Sequence, residues 1–211
     1  VVARQPEPVR QFLLRTSILR YLNPQLCHVL LPDVDCEAIL RQLEASSLIA
    51  PIESEDRAWR YHSLIAEFLK AQLQREAPAE VPRLHHAAAG WFRSQDRPVP
   101  AIDHAIEGGD YAYAVTLLIA HAPALLGQGR MRLLTRWFDA LPEDVLRDHL
   151  PLQAIRIWAL ESALYRASHD IERKEVELKA QGKTFAEAML GAAEEYAIEC
   201  ALLKVLGSET L

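Results

Sequence analysis

The chain has 211 residues, half of them apolar and a quarter charged, with only eight glycines. A chain of this length can bury a real core in one large domain or two small ones. No apolar run approaches the roughly 18 to 20 residues that cross a bilayer, so a soluble, helix-rich protein is expected. The net charge is −6, which argues against a nucleic-acid binder, because phosphate neutralisation demands an excess of lysine and arginine.

That imbalance is spread along the chain. Residues 1–76 hold 9 basic against 10 acidic side chains, and residues 77–211 hold 14 against 19. The chain opens VVARQPEPVR, without an initiator Met or a secretion signal, so it reads as a piece of something longer. Cys27, Cys36 and Cys200 are too few and too scattered for a disulfide framework or zinc knuckle, and free thiols in a reducing cytoplasm are expected.

In chain order, Pro8 opens a first helix with Val9, Phe12, Leu13 and Leu14 at helical spacing. Asn23, followed by Pro24, caps a second that carries Leu26, Val29 and Leu30. Asp35 caps a third, striped by Ile39, Leu40 and Leu43. The period then changes: residues 48–52 and 58–61 read as short strands joined by the polar turn Glu53 to Arg57, with Pro51 marking an edge or broken strand. After His62, Leu64, Ile65, Phe68, Leu69 and Leu73 mark one face of a helix that runs to about Glu76. Three helices, a hairpin and a closing helix make a winged-helix domain over residues 1–76.

APAEVP, residues 77–82, is the expected boundary, since two prolines in a polar stretch do not continue a helix interior. Beyond it, breakers at 96–98, 108–110, 127–130, Pro142, Pro151, around Ser168 and at Gly182 separate helices of about ten to eighteen residues. The spacing from Asp96 to Gly129 is 33 positions, near the repeat of about 34 residues of stacked helix pairs. Ala87, Ala101, Ala105 and Ala114 fall where close helices need small side chains. The expected fold class is mainly α: a winged helix with a small hairpin, then a TPR-like irregular α-solenoid over residues 77–211.

The chemical motifs are sparse. QGKTF, residues 181–185, ends like a P-loop, but Glu177 stands where the pattern needs glycine and a helix, not a strand, precedes it. Gly182 closing one helix and Thr184 capping the next is the better reading. His85 and His86 diverge by about 100° on a helix, and His104 and His121 lack partners at i+4, so no metal site is expected. No nucleophile and base arrangement emerges, and the region is expected not to be an enzyme. The third helix, DCEAILRQLEASS, offers Arg41 as its one cation against three acidic residues, which disfavours DNA reading. Trp91, Trp137 and Trp158 can line a concave ligand surface or pack in the core.

ARQPEPVRQFLLRTSILRYLNPQLC, then AILRQLEASSLIAPIE, then WRYHSLIAEFLKAQLQ together resemble the winged-helix segment of the MalT-type large ATP-dependent LuxR-family transcription activators, members of the STAND class. LHHAAAGWFRSQDRPVPAIDHAIEGGDYAYAVTLLIAHAPALL and its continuation to residue 146 look like the start of that family's helical-repeat sensor. The resemblance covers roughly residues 3–165, and the segment 167–211 diverges from it.

The resemblance implies a middle, signal-transducing region. An ATPase module would precede it, an inducer or regulatory protein would be sensed on its repeats, and a LuxR-type helix-turn-helix would bind DNA elsewhere. ATP and ADP are implied cofactors of the complete protein, its own nucleotide-binding module is an implied partner, and inducer-dependent homo-oligomers in the cytoplasm are implied. In related switch ATPases a histidine ending the winged-helix hairpin contacts the terminal phosphate of ADP, and His62 in RYHSL stands at the matching position. From the residues alone, His62 reads first as a strand end packed against Tyr61 or Leu64. A free-standing helical interaction scaffold, without nucleotide, is the alternative function.

Overall fold

A computed structural model describes residues 5–52 and 58–197. The turn Glu53 to Arg57, Cys200 and the last part of the divergent tail lie outside the described residues. The chain is a winged helix followed by helical repeats. It divides into two compact units, residues 1–117 and 118–211.

The first unit starts with α1 (Glu7–Thr16), α2 (Pro24–Leu30) and α3 (Cys36–Ala45). Their starts are chemically specified. Pro8 sits in the first turn of α1, Asn23 accepts from the Gln25 and Leu26 backbone amides, and Asp35 accepts from Ala38. Each cap satisfies amides that have no partner inside the helix.

β1 (Ile49–Ile52) and β2 (Ala58–Tyr61) form an antiparallel pair in which Pro51 stands opposite Trp59. A strand with one free edge tolerates proline there. Trp59 also exchanges both backbone hydrogen bonds with Leu22, at 2.7 and 3.0 Å, so the end of the α1–α2 connection joins the sheet. α4 (Ser63–Glu76) closes the domain against α1. Phe12, Leu13, Leu22, Leu26, Leu40, Leu43 and Leu69 are fully buried. Tyr61 reaches the same interior, where its hydroxyl lies 2.7 Å from Thr16 Oγ1.

Three apolar positions differ from the expected core. Leu69 and Leu73 of α4 are buried, whereas Leu64 is 85% exposed and Phe68 49%. The five apolar residues span more of the helix circumference than one contact with α1 covers. Val29 of α2 is exposed as well, although α2 packs on α1, α3 and α5.

α5 (Glu80–Ser94) and α6 (Pro98–Glu107) follow. Pro82 falls in the first turn of α5, where a missing amide costs nothing. Arg15 makes a two-pronged ion pair with Glu80, at 2.8 and 3.0 Å, and α5 packs on α2. Asp96, with φ +52°, turns the chain after α5, and the three-residue connection makes α5 and α6 an antiparallel pair. Ala88, Ala89, Ala101 and Ala105 are completely buried between close backbones, with Ala87 only half-buried. Gly108 answers a steric need: a Cβ there would lie 2.7 Å from His85 Cβ.

α7 (Tyr111–Gly127) carries the chain from residue 111 to 127. The second unit then holds α8 (Met131–Ala140), α9 (Glu143–Asp148), α10 (Leu150–Ala180) and α11 (Phe185–Glu195). Leu134, Trp137 and Leu152 are its fully buried anchors. The expected break around Ser168 does not occur: α10 runs unbroken for 31 residues. Beyond Pro151 in its first turn it contains neither proline nor glycine, and serine is only mildly unfavourable in a helix. Gly182, with φ +88°, ends α10, and Thr184 caps α11 through a reciprocal box with Glu187. Among the described residues, no helix is long and apolar enough to cross a membrane.

Candidate functional site

The first candidate lies where β2 meets α4. Tyr61 points inward and is anchored to Thr16, so the next residue, by strand alternation, turns outward. His62 is exposed and has extended backbone angles at the N-cap of α4. Its carbonyl accepts from Ile65 and Ala66, but its side chain makes no cap hydrogen bond. The ring therefore stands at the positive end of a 14-residue helix dipole, with exposed Leu64 and Phe68 on the first two turns of the same helix.

The second candidate was not legible from sequence spacing. His85 of α5 and His104 of α6 face one another, with their Nδ1 atoms 3.0 Å apart and ring centroids at 5.1 Å. Both are buried, at 5% and 7% exposure. Phe92 stacks on His104 at 5.4 Å, nearly parallel. A Glu107 carboxylate oxygen lies 3.8 Å from His85 Nδ1.

Burial is the main influence on both rings, since it disfavours the charged form. His85 is pushed down to about 4, with Lys70 adding repulsion. His104 is pushed down to about 3 by burial, then by His85, Arg20 and Lys70. Both rings are neutral at neutral pH.

A cleft of about 440 Å³ opens beside this pair. Arg20, Lys70, Arg97, Asp103, His104 and Glu107 are among its lining residues, and its floor includes Phe92. The guanidinium of Arg97 sits 5.5 Å from the Phe92 ring centre. His86, one residue from His85, points elsewhere and pairs with Asp110 at 2.8 Å, as the expected divergence of adjacent helical side chains requires. The useful sequence signal was His104 and Glu107, three apart and hence on one face of α6. The 19-residue separation of His85 from His104 gave no such signal.

The remaining candidates separate cleanly. Trp137 is 1% exposed and belongs to the core, Trp91 is half-buried edge-on to Phe92, and Trp158 is 52% exposed. On α3, Glu37, Arg41 and Glu44 share a shallow groove with Pro51, Ile52 and Trp59, and the two carboxylates outnumber the guanidinium. Trp59 Nε1 is buried there without a hydrogen-bond partner among the described residues. Cys27 and Cys36 are buried free thiols, both raised above the ordinary thiol range chiefly by desolvation.

A winged helix with an outward-facing residue at the hairpin's end, continued by antiparallel helix pairs, defines the class of winged-helix modules followed by helical repeats. The chain is of the MalT type: residues 1–81 match the MalT winged helix domain and belong to that family. It is 33% identical over 154 residues to the HTH-type transcriptional regulator MalT of Yersinia pestis (strain Pestoides F), and equally to that of Yersinia pseudotuberculosis (serotype O:1b, strain IP 31758). The match takes in 72% of this chain and 17% of each relative, so the chain spans about a sixth of the length of the curated relatives it matches.

Proposed function

We propose that this chain is the central, signal-transducing region of an ATP-dependent LuxR-type transcriptional regulator of the cytoplasm. Residues 1–76 form the coupling winged helix, and residues 77–211 form the TPR-like sensor that receives an inducer or regulatory protein. The observation that carries this reading is the MalT winged-helix match at residues 1–81 within a longer similarity to MalT regulators. The region itself performs no catalysis and binds no DNA. The acidic balance of the exposed α3 face supports the latter, because a DNA-reading helix directs cations at phosphates.

In this mechanism His62 donates an imidazole N–H to the terminal phosphate of ADP, and the first amides of α4 add donors and a favourable dipole. The rest of the nucleotide pocket comes from an ATPase module elsewhere in the polypeptide, seated over exposed Leu64 and Phe68. ADP then favours a closed monomer, while ATP with inducer favours an open, self-associating state. This requires each ligand to bind the two states with different affinity.

The test uses the complete gene product. Sedimentation with ADP, and with ATP plus a candidate inducer, should give different association states, and His62→Ala should weaken ADP binding about 10- to 100-fold, as loss of one charge-assisted hydrogen bond does. An association state indifferent to nucleotide overturns the switch. Unchanged ADP affinity in His62→Ala removes the phosphate contact.

A further inference from the structure

We propose that His85, His104 and Glu107 form a binding site for a divalent transition metal of the zinc class, built where α5 and α6 close on one another. This assignment is independent of the nucleotide mechanism and of His62. One ligand atom from each residue lies within 4.8 Å of the others. The two Nδ1 atoms are 3.0 Å apart, and Glu107 Oε2 is 3.8 Å from that of His85. Two ligands on a tetrahedral zinc ion, each at about 2.0–2.1 Å, are separated by about 3.3 Å. The two spacings from His85 bracket that value and the third pair lies within 4.8 Å, so modest side-chain adjustments bring all three atoms onto one ion.

The rigid frame makes the convergence more than a chance meeting. Gly108 lets the end of α6 approach the Cβ of His85, and the Phe92 ring lies flat against His104. His104 and Glu107 share one face of α6, while His85 comes from the facing helix, so the three ligands approach from two rigid elements. Two imidazoles and a carboxylate are a donor set that zinc accepts with an open fourth position. The cleft lined by His104 and Glu107 is large enough to supply water to that position. Arg20 and Lys70 also face the site and oppose a cation, and Asp103 on the cleft wall offsets part of that repulsion alongside Glu107. A bound ion would tie α5 to α6 and add its binding free energy to the stability of the pair.

Calorimetric titration of the chelator-treated 211-residue chain with Zn²⁺, with Co²⁺ absorption as a second probe, tests the assignment. One equivalent should bind, Co²⁺ should give the visible bands of a four- or five-coordinate nitrogen and oxygen site, and melting temperature should rise with Zn²⁺. Glu107→Gln, a near-isosteric change on a half-exposed side chain, should weaken binding at least tenfold, and His104→Gln should weaken it further. His86→Gln, which alters the neighbouring imidazole paired with Asp110, should leave it unchanged. Absence of stoichiometric binding overturns the proposal. So does equal affinity in Glu107→Gln, or loss of binding in His86→Gln, either of which would move the ion to surface histidines.

Discussion

Two helical hairpins in this chain obey the same local rules and reach different degrees of burial. α5–α6 turns through Asp96 in a left-handed conformation, and α10–α11 turns through Gly182 in the same way. The first hairpin encloses four fully buried alanines, a buried aromatic ring and two buried histidines, and also packs on α2. The second encloses little more than Leu178, Ala188 and Ala192, with Ile171 against them. Val176, Phe185, Met189 and Leu190 remain exposed there. Its surface is held by ion pairs such as Lys174 with Glu195 at 3.1 Å, and by Lys179 over the Phe185 ring. Exposed pairs of this kind contribute about 0–1 kcal/mol each. Turn chemistry therefore sets where a hairpin bends, and apolar contact sets how firmly it holds.

The sharpest way to erase the difference is to empty the better-packed hairpin. Phe92→Ala should cost about 3–5 kcal/mol, as aromatic-to-alanine changes in cores do, measured as a shift in denaturant midpoint. Hydrogen exchange should accelerate through α5 and α6 and stay unchanged in α10 and α11. Equal acceleration in both hairpins would mean that they unfold as one.

Acid should then distinguish them. Both buried histidines have folded-state values below the ordinary one, so the unfolded chain binds more protons once the pH falls below about 6.5. Their contribution is fully present above that pH and is lost progressively as pH falls towards their folded values near 4 and 3. The expected slope is up to about 1.4 kcal/mol per pH unit for each histidine. Among the described residues of α10–α11 the one histidine, His169, is exposed. With chelator present, exchange protection in α5–α6 should fall between pH 6.5 and 4.5 while that in α10–α11 stays flat.

The smallest effect sits in the looser hairpin. Thr184→Ala removes the hydroxyl half of the α11 capping box and should cost about 1 kcal/mol. Because little tertiary contact backs α11, the loss should appear as reduced helicity and faster exchange in α11 alone. A change spreading to α5–α6 would contradict the independence of the two hairpins.

Much of this organisation was readable in the residues because it rests on short-range chemistry. Asn23, Asp35 and Thr184 cap helices where their side chains reach their own backbone, and Gly182 ends α10 because its positive φ suits a residue without Cβ. The apolar stripes of α1 and α3 named their buried residues, since each helix has one neighbour-facing side. The spacing failed where a helix carries more apolar residues than one contact can cover. Leu64 and Phe68 stayed outside for that reason, and α10 ran through Ser168 because a weak local preference cannot break a long helix.

What the sequence by itself determined is therefore the set of helix starts and stops, the hairpin, and the winged-helix order that marks the MalT type. Only the tertiary structure decided that His85 meets His104 across two helices, that Glu107 joins them, and that His62 faces outward from a closed core. The physical reason is range. Caps and turns are set by a side chain acting on backbone within four residues, whereas a convergence of three ligands depends on how closely two helices pack, which Gly108 and the buried alanines of α5 and α6 allow.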